Sequence, residues 1–424
     1  MLGHGRRIAP ICFKRDALSS GMSLKIQLWS YNYDPEPTGI GPVSRVWAEG
    51  LRDRGHHVEV VAAHPHYPEP VWGPKMLPYR ELRGGIPVLR LPLWIGRETA
   101  IERYRQELSF MVAQTAALPA LSRPDVLVSA SPSFPALFPA MLYARARHVP
   151  WVIWLHDILP DGASASGIVD EGSVVIRVAR RLERAAYREA ERIVVLSEAF
   201  TRNLTDKGVP EEKIELIYDP ATRVPRQERL SGSDAEPARL LSMGNIGYSQ
   251  GLAPLVAAFE RADALRSTPI RFVITGNGMA ADETRAEVRS ERVEMPGVVD
   301  DERLEQELQK ATIAFVSQQY DGAEFNIPSK IMNFMAYGLP VLAAVNPRGE
   351  VARIVEQAGA GWVVDSSEPD SFPHKLAEIL SGPAEIEARG EAAYEYAQRH
   401  FAQAGFAERF DHSLTEVVER HRAA

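Results

Sequence analysis

The fold class of this chain is set by the stretch from Lys25 to His64, KIQLWSYNYDPEPTGIGPVSRVWAEGLRDRGHHVEVVAAH. It begins with an apolar run, Lys25 to Tyr31, that suits a buried parallel strand. Apolar side chains then recur at helical spacing up to Gly55, and a second apolar run, Val58 to Ala63, follows. This order predicts a strand, a helix and a parallel strand, which is the repeating unit of α/β proteins.

The turn between the first strand and the helix contains two glycines, Gly39 and Gly41. Glycine permits a tight turn there, and Pro42 suits the first position of the helix. Backbone N–H groups in such a turn could approach a phosphate or a sugar, but ordinary turn glycines would give the same pattern. The spacing is not G-x-G-x-x-G, which disfavours a dinucleotide-dependent oxidoreductase.

Strands and helices continue to alternate towards the C-terminus, with one interruption. A helix is predicted from Ala100 to Leu118, with apolar side chains along one side. The segment from Asp219 to Arg239 is polar, contains prolines and has no periodicity, so it predicts a linker between two domains. The alternation resumes at Leu240, and a long helical tail, Ala393 to Arg420, is predicted at the end.

The composition fits a globular protein of two or three domains, with 424 residues of which 45% are hydrophobic. A net charge of −8 excludes a nucleic-acid binder by overall charge. The single cysteine, Cys12, excludes an intramolecular disulfide and a cysteine-rich metal site, and fits a reducing cytoplasm. No apolar run of about 18 residues is uninterrupted, so no membrane-spanning helix is predicted, although peripheral membrane contact is left open.

The segment from Gly322 to Pro340, GAEFNIPSKIMNFMAYGLP, is the first candidate site. Pro328 is expected to open a helix whose start carries Ser329 and Lys330, and Glu324 lies in the loop before it. A helix N-terminus and an ammonium group suit a diphosphate, and a carboxylate suits sugar hydroxyls. An ordinary amphipathic helix with a polar outer face is the alternative interpretation.

Histidines supply the other candidates. His156 follows the apolar run WVIWL, and polar residues at the end of a strand point into the ligand crevice of an open α/β sheet. A structural histidine without function is the alternative. His64 and His66 have no third ligand at metal-binding spacing, so a plain loop is favoured and no metal site is predicted.

Four motifs together resemble the GT-B glycosyltransferases of family GT4: NYDPEPTGIG, GHHVEVVAAHPHYPEP, SMGNIGYSQGL and IPSKIMNFMAYGLPVLA. The resemblance covers nearly the whole chain from Met22. It is closest to the subgroup that builds bacterial surface polysaccharides, including the WcaI-type transferases of colanic acid. It implies two Rossmann-like, doubly wound domains that face each other across a cleft, residues 22–222 and 238–400. A helix of about residues 401–424 would return to the first domain. Residues 1–21 lie outside the resemblance and have neither helical nor strand periodicity, which predicts a disordered extension.

The resemblance also implies contacts to the donor. Glu324 corresponds to the first glutamate of the family's Glu-x7-Glu signature, which contacts hydroxyls of the transferred sugar. The second glutamate, which holds the nucleotide ribose, falls on Asn333, and asparagine binds a diol more weakly than a carboxylate does. The family's arginine and lysine, which hold the diphosphate, fall on Asn245 and Gln250.

Lys330 and Ser329 would supply the positive charge and hydrogen bonds that Asn245 and Gln250 lack. His156 matches the histidine that lines the donor sugar. The remaining donor contacts implied by the resemblance are backbone loops at Gly39 and Gly41, at Gly244 and Gly247, and, for the nucleobase, at Gly297 and Val298.

The expected activity is a metal-independent, retaining transfer of a hexose from a UDP- or GDP-sugar to a saccharide acceptor, without a cofactor. The subgroup implies a lipid-linked acceptor and a location in the cytoplasm at the inner face of the membrane. Two alternatives share the architecture: a sugar-nucleotide epimerase, and a non-catalytic relative that only binds a sugar nucleotide.

Overall fold

The computed structural model describes residues 22–37, 39–66, 72, 76–96, 99–131, 133, 135–157, 174–225, 237–266, 268–319 and 327–423. Within them the chain divides into two compact units. The N-terminal domain extends to Pro220 and includes the final helix from Gln403, and the C-terminal domain is Ala221–Ala402. Each has its own hydrophobic core, which confirms the predicted pair of α/β domains. The predicted extension, residues 1–21, lies outside the described residues.

The N-terminal domain is built on one sheet. Its strands are β1 Lys25–Ser30, β2 His57–Ala63, β3 Tyr79–Arg83, β4 Ile86–Leu91, β5 Val126–Ser131, β6 Trp151–Leu155, β7 Arg192–Val195 and β8 Ile214–Leu216. Their order across the sheet is β3-β4-β2-β1-β5-β6-β7-β8. Neighbouring strands are parallel except for the antiparallel pair β3–β4. Strand β3 is not predicted from the sequence, because it is an edge strand of mainly polar residues.

Five helices described between these strands are α1 Ile40–Asp53, α2 Ala100–Ala117, α3 Leu137–Arg147, α4 Val174–Glu189 and α5 Glu198–Asp206. Helix α1 connects strands that step in one direction across the sheet, whereas α2 to α5 precede strands that step in the other direction. Because such crossovers are right-handed, α1 covers one face of the sheet and α2 to α5 cover the other.

The C-terminal domain has six parallel strands in its described part. They are β9 Ala238–Met243, β10 Ile270–Thr275, β11 Val293–Gly297, β12 Ile313–Ser317, β13 Val341–Val345 and β14 Gly361–Asp365. Their order, β11-β10-β9-β12-β13-β14, is the 3-2-1-4-5-6 order of a Rossmann sheet. The helices are α6 Leu252–Arg261, α7 Ala281–Ala286, α8 Asp301–Lys310, α9 Lys330–Ala336, α10 Glu350–Gln357, α11 Ser371–Leu380 and α12 Pro383–His400.

The strand order reverses at two points, between β1 and β5 in one sheet and between β9 and β12 in the other. Ligands of open α/β sheets bind outside the carboxyl ends of the strands at such a switch point. In the C-terminal domain the two loops that meet there are hydrogen-bonded, because Gln319 N after β12 donates to Ser249 O after β9 at 2.8 Å.

The last helix, α13 Gln403–Ala423, packs against α1 within the N-terminal domain. The predicted helical tail is therefore two helices, separated at Phe401 and Ala402. Phe410 of α13 lies 5.8 Å from Trp47 and 5.2 Å from Trp154, measured between ring centroids. All three rings are fully buried.

Polar contacts fix the register of α13. Asp411 accepts hydrogen bonds from Arg54 Nε at 2.6 Å and His56 Nε2 at 2.9 Å, and these two contacts hold the carboxyl pKa below its usual range despite partial burial. Further along the helix, Glu416 pairs with Arg192 at 2.9 Å. No described helix is both long enough and apolar enough to span a bilayer.

We expect Phe410→Ala to destabilise the N-terminal domain by about 3–5 kcal/mol, because it leaves a cavity between two buried tryptophans. Urea unfolding followed by tryptophan fluorescence measures the change. Leu82→Ala, at a position 69% exposed, is the matched control and should change stability by less than about 0.5 kcal/mol. Equal stability of the two variants would show that α13 is not part of this core.

Candidate active site

Loops that follow three neighbouring strands of the C-terminal sheet form one connected backbone surface. Ile246 N, after β9, donates to Asn277 O, after β10, at 2.9 Å. The two backbones touch, since a Cβ atom on Gly276 would lie 1.8 Å from Gly244 O, and only glycine fits there. Gly276 N in turn donates to Gly297 O, at the end of β11, at 2.8 Å.

Side chains around these loops have different roles. Gln250 accepts a hydrogen bond from Gly247 N through Oε1 at 2.8 Å, so its amide oxygen stabilises the loop itself. Asn245 and Val298 are exposed. These loops therefore present backbone groups and the exposed side-chain amide of Asn245 to a ligand. Asn245 and Gln250 are themselves uncharged, so neither supplies a positive charge.

The cation of this domain's candidate site is Lys330. Helix α9 begins at Lys330, two residues later than the predicted start at Pro328, and Ser329 is its N-cap residue without a side-chain capping bond. Lys330 is half-buried, and burial lowers the pKa of its ammonium group to about 8. No described residue forms an ion pair with it. Glu324, with its predicted sugar contact, lies outside the described residues.

Helix α9 is not the amphipathic surface helix of the alternative interpretation. All residues from Ile331 to Ala336 are buried. Helix α9 packs against β12 and β13 and also against α12. The approach of α12 is close, since a Cβ atom on Gly390 would lie 2.7 Å from Gly338 O. The helix is terminated at Gly338, which has a φ of +65°, and Leu339 N donates to Phe334 O at 3.1 Å.

Asn333 is held inside the protein. It is 6% exposed, and its Oδ1 accepts hydrogen bonds from Arg223 N at 2.9 Å and Thr222 Oγ1 at 3.4 Å. Its amide oxygen therefore ties α9 to the start of the segment that connects the two domains. Asn333 therefore does not lie on a polar outer face of α9, as the amphipathic-helix interpretation would require.

In the N-terminal domain, the turn after β1 is built around a buried carboxylate. Gly39 has a φ of +64°, and a Cβ atom on Gly41 would lie 2.7 Å from Glu36 O. Glu36 accepts hydrogen bonds from Asn32 Nδ2 at 3.1 Å and His66 N at 2.9 Å. His66 thus belongs to a hydrogen-bonded loop, and the described residues include no metal-binding cluster of three His, Cys, Asp or Glu side chains.

His156 and Asp219 form a second polar cluster, at the carboxyl ends of β6 and β8. His156 Nδ1 lies 3.7 Å from Asp219 Oδ2. The other polar atom of each side chain, His156 Nε2 and Asp219 Oδ1, is buried without a hydrogen-bond partner. Sequence reasoning missed Asp219 because it was counted as the first linker residue. The available signal was its position directly after the apolar run KIELIY, like that of His156 after WVIWL.

Burial shifts both groups towards their neutral forms. It lowers the pKa of His156 to about 3 and raises the pKa of Asp219 to about 7. Neutral Asp219 therefore stabilises the fold at low pH, and this contribution is lost as the pH rises from 3.8 through about 7. The His156 contribution has the opposite sign: it is present above pH 6.5 and lost as the pH falls towards about 3.

We expect Asp219→Asn to stabilise the N-terminal domain at alkaline pH, because asparagine stays neutral where the buried carboxyl ionises. The gain relative to the native chain should grow between about pH 4 and pH 8, on the order of 4 kcal/mol at most, since a pKa unit is worth about 1.4 kcal/mol. Urea unfolding across this pH range measures it. Asp206→Asn, at an exposed position of α5, is the control, and parallel pH profiles for all three proteins would contradict a buried titrating Asp219.

Comparison with known proteins agrees with this architecture. A family model described as a glycosyl transferase 4-like domain matches residues 38–220, and one described as glycosyl transferases group 1 matches residues 225–396. WcaI of Escherichia coli K12, described as a glycosyl transferase of colanic acid biosynthesis, is 26% identical over 89% of this chain and 96% of its own. WbjE of Pseudomonas aeruginosa, described as a glycosyltransferase, is 25% identical over 61% of this chain and 66% of its own.

Solved structures show the same fold. Anabaena HepE, in complex with UDP, has a TM-score of 0.65 at 16% identity and covers 92% of this chain and 100% of its own. WaaG, a glycosyltransferase involved in lipopolysaccharide biosynthesis, has a TM-score of 0.58 at 14% identity and covers 88% of this chain and 95% of its own. Nothing among these relatives favours the epimerase alternative. The two matched family models together span most of the chain, which is therefore a member of the GT4-like, group 1 glycosyltransferases with a GT-B fold.

Proposed function

We propose that this glycosyltransferase moves a sugar, with retention of the anomeric configuration, from a nucleotide-sugar to a saccharide acceptor. The observation that carries the proposal is Lys330, a half-buried cation without a counter-ion among the described residues. Helix α9 follows β12, so its first residue lies towards the carboxyl edge of the C-terminal sheet. The glycine loop after β9, the neighbour of β12, lies at the same edge.

This arrangement suits a donor diphosphate. An ammonium group whose pKa is lowered by burial lacks a compensating negative charge, and an anion beside it would supply that charge. In the loop from Gly244 to Gly247, the N–H groups of Gly244, Ile246 and Gly247 are already bonded within the domain. The backbone N–H and the exposed side-chain amide of Asn245 are the donors that this loop could add. Breaking the bond between the anomeric carbon and the phosphate oxygen places negative charge on the leaving diphosphate. A fixed cation at that position lowers the barrier.

The remaining roles rest on the family resemblance. His156 would line the donor sugar, Glu324 would hold its hydroxyls, and Gly297 and Val298 would contact the base. The acceptor hydroxyl would attack from the face that the diphosphate leaves, and the departing phosphate would take its proton. No metal ion or other cofactor is required in this scheme.

The relatives support particular choices of donor nucleotide and acceptor saccharide. HepE is described in complex with UDP, with UDP and glucose, and with UDP-glucose, which supports a UDP-sugar over a GDP-sugar as donor. The association of WcaI with colanic acid supports a saccharide of a bacterial surface polysaccharide as acceptor. A lipid carrier for this acceptor, at the cytoplasmic face of the membrane, rests on the family resemblance alone.

Lys330→Ala should lower kcat by roughly 100- to 1,000-fold, the loss typical when one group that stabilises a leaving-group charge is removed. Turnover is measured by release of nucleoside diphosphate. Thermal stability should not fall, because the substitution removes a desolvated charge that has no described partner. Lys310→Ala, at the exposed end of α8, is the matched control. Unchanged turnover in Lys330→Ala would refute the assignment.

A panel of UDP-, GDP- and dTDP-sugars should identify the donor by thermal shift, with UDP-sugars expected to stabilise the chain. A ligand at about 100 times its dissociation constant adds about 2.7 kcal/mol of stability. Product analysis then separates the classes: a transferase gives sugar on an added acceptor, an epimerase gives an isomeric donor without acceptor, and a binding protein gives a shift without either. An isomeric donor, or a shift without turnover, would overturn the proposal.

A further inference from the structure

Two polar side chains meet at the carboxyl edge of the N-terminal sheet, although their strands are not neighbours. His156 follows β6 and Asp219 follows β8, and β7 lies between these strands. Strands that are two apart in a sheet are separated by about 10 Å. Strand β7 ends at Val195 and the chain turns into α5 from Glu198, so side chains from both flanking strands can meet beyond its end.

The gap between the two side chains has the size of one bridging oxygen atom. His156 Nδ1 and Asp219 Oδ2 lie 3.7 Å apart, which is too long for a direct hydrogen bond. An oxygen atom about 2.8 Å from both would complete two hydrogen bonds. The side chains are 11% and 13% exposed, whereas His156 Nε2 and Asp219 Oδ1 are buried, so a ligand reaches the pair on the side of Nδ1 and Oδ2.

The chemistry of the pair favours a hydroxyl group as the bridge. Burial keeps His156 neutral by lowering its pKa to about 3. Its Nε2 has no hydrogen-bond partner, and in proteins a buried acceptor without a partner is commoner than a buried N–H without one, so the ring proton is assigned to Nδ1. A hydroxyl can then accept from Nδ1–H and donate to Asp219 Oδ2. An ammonium group cannot accept, and a fully ionised phosphate cannot donate.

The imidazole ring of His156 is held in place by its surroundings. His156 N donates to Ser131 O at 3.3 Å, and the rings of His156 and Trp154 pack with 4.5 Å between their centroids. Trp154 is fully buried and packs in turn on Phe410 of α13. A hydroxyl that binds here therefore meets a preorganised donor, which lowers the entropic cost of binding.

Among the described residues, no other charge perturbs the pair. The titratable side chains on the segments and helices that pack around it are those of Asp157, Glu198, Tyr218 and Arg409. Glu198 already pairs with Arg202 at 3.7 Å. Burial alone shifts the pKa of His156 and that of Asp219, so these neighbouring groups contribute nothing appreciable to either shift.

We propose that a hydroxyl group of the donor sugar bridges His156 Nδ1 and Asp219 Oδ2, which makes Asp219 a further sugar-binding residue of this enzyme. The inference rests on the proposed function, in which His156 lines the donor sugar. An ionised carboxylate accepts a hydrogen bond from a hydroxyl more strongly than a neutral carboxyl does. The bound sugar therefore favours ionised Asp219 and lowers its pKa below the value of about 7 in the free chain. By linkage, affinity for the sugar rises as the pH is raised towards about 7 and is constant above it.

Calorimetric titration of native chain and Asp219→Asn at pH 6 and pH 8 measures this coupling. The ligands are UDP-glucose, or the sugar nucleotide that the donor panel identifies in its place, and UDP as the ligand without a sugar. Because a charged hydrogen bond is about twice as strong as a neutral one, the bound sugar should lower the Asp219 pKa by about 1. Asp219→Asn should then bind the sugar nucleotide about twofold more weakly than the native chain at pH 6 and about ninefold more weakly at pH 8.

The comparison separates Asp219 from other groups that titrate in this range. Lys330, with a pKa of about 8, and the diphosphate are common to both proteins, so their ionisation cancels when one ligand is compared between them. UDP should bind both proteins equally at each pH. Asp219→Asn is expected to be at least as stable as the native chain at pH 8, so weaker binding there does not reflect unfolding.

Monodeoxy analogues of the sugar nucleotide identify the bridging hydroxyl, because the analogue that lacks it should bind native chain and Asp219→Asn equally. Asp206→Asn, at an exposed position of α5, is the control and should bind every ligand as the native chain does. If Asp219→Asn binds the sugar nucleotide like the native chain at pH 8, or weakens UDP to the same extent, the inference is overturned and the proposed function is unaffected. If no sugar nucleotide of the panel binds the native chain, both are overturned.

Discussion

Parallel strands must be covered on both faces, and the way this chain meets that requirement determines its organisation. Among the described helices that connect strands of the N-terminal domain, right-handed crossovers place α2 to α5 on one face and α1 on the other. The second face over β6, β7 and β8 would be bare if the chain ended with the C-terminal domain. Helix α13 covers it: Trp154 of β6 packs on Phe410, and Arg192 of β7 pairs with Glu416.

This requirement also explains why the domains are joined twice. The chain leaves the N-terminal domain at Pro220 and re-enters it at Gln403. Asn333 binds the first connecting segment, because its Oδ1 accepts a hydrogen bond from Arg223 N. The first and second connecting segments are hydrogen-bonded to each other, because Ala221 N donates to Phe401 O at 2.8 Å. The two connecting segments are thus bound to each other and to α9, the helix that begins at Lys330.

The fold was largely predictable because strands of a parallel sheet are continuous apolar runs, and the runs WVIWL and Val58 to Ala63 were placed correctly. The burial of α9 was not predictable, because the covering helix α12 lies about 50 residues further along the chain and no local pattern reports its contact. For α2 the local pattern was misleading: its apolar side suggests a core-facing helix, but Gln106 and Phe110 occupy the core.

At the candidate site, the residue types were predictable and their partners were not. Lys330 and His156 were singled out by position. Only the structure shows that Lys330 has no ion-pair partner among the described residues and that His156 Nε2 is buried without a hydrogen-bond partner. Asp219 was missed because linker composition concealed a strand-end residue. Polar groups without partners lower stability, and proteins retain them where a ligand supplies the missing contact.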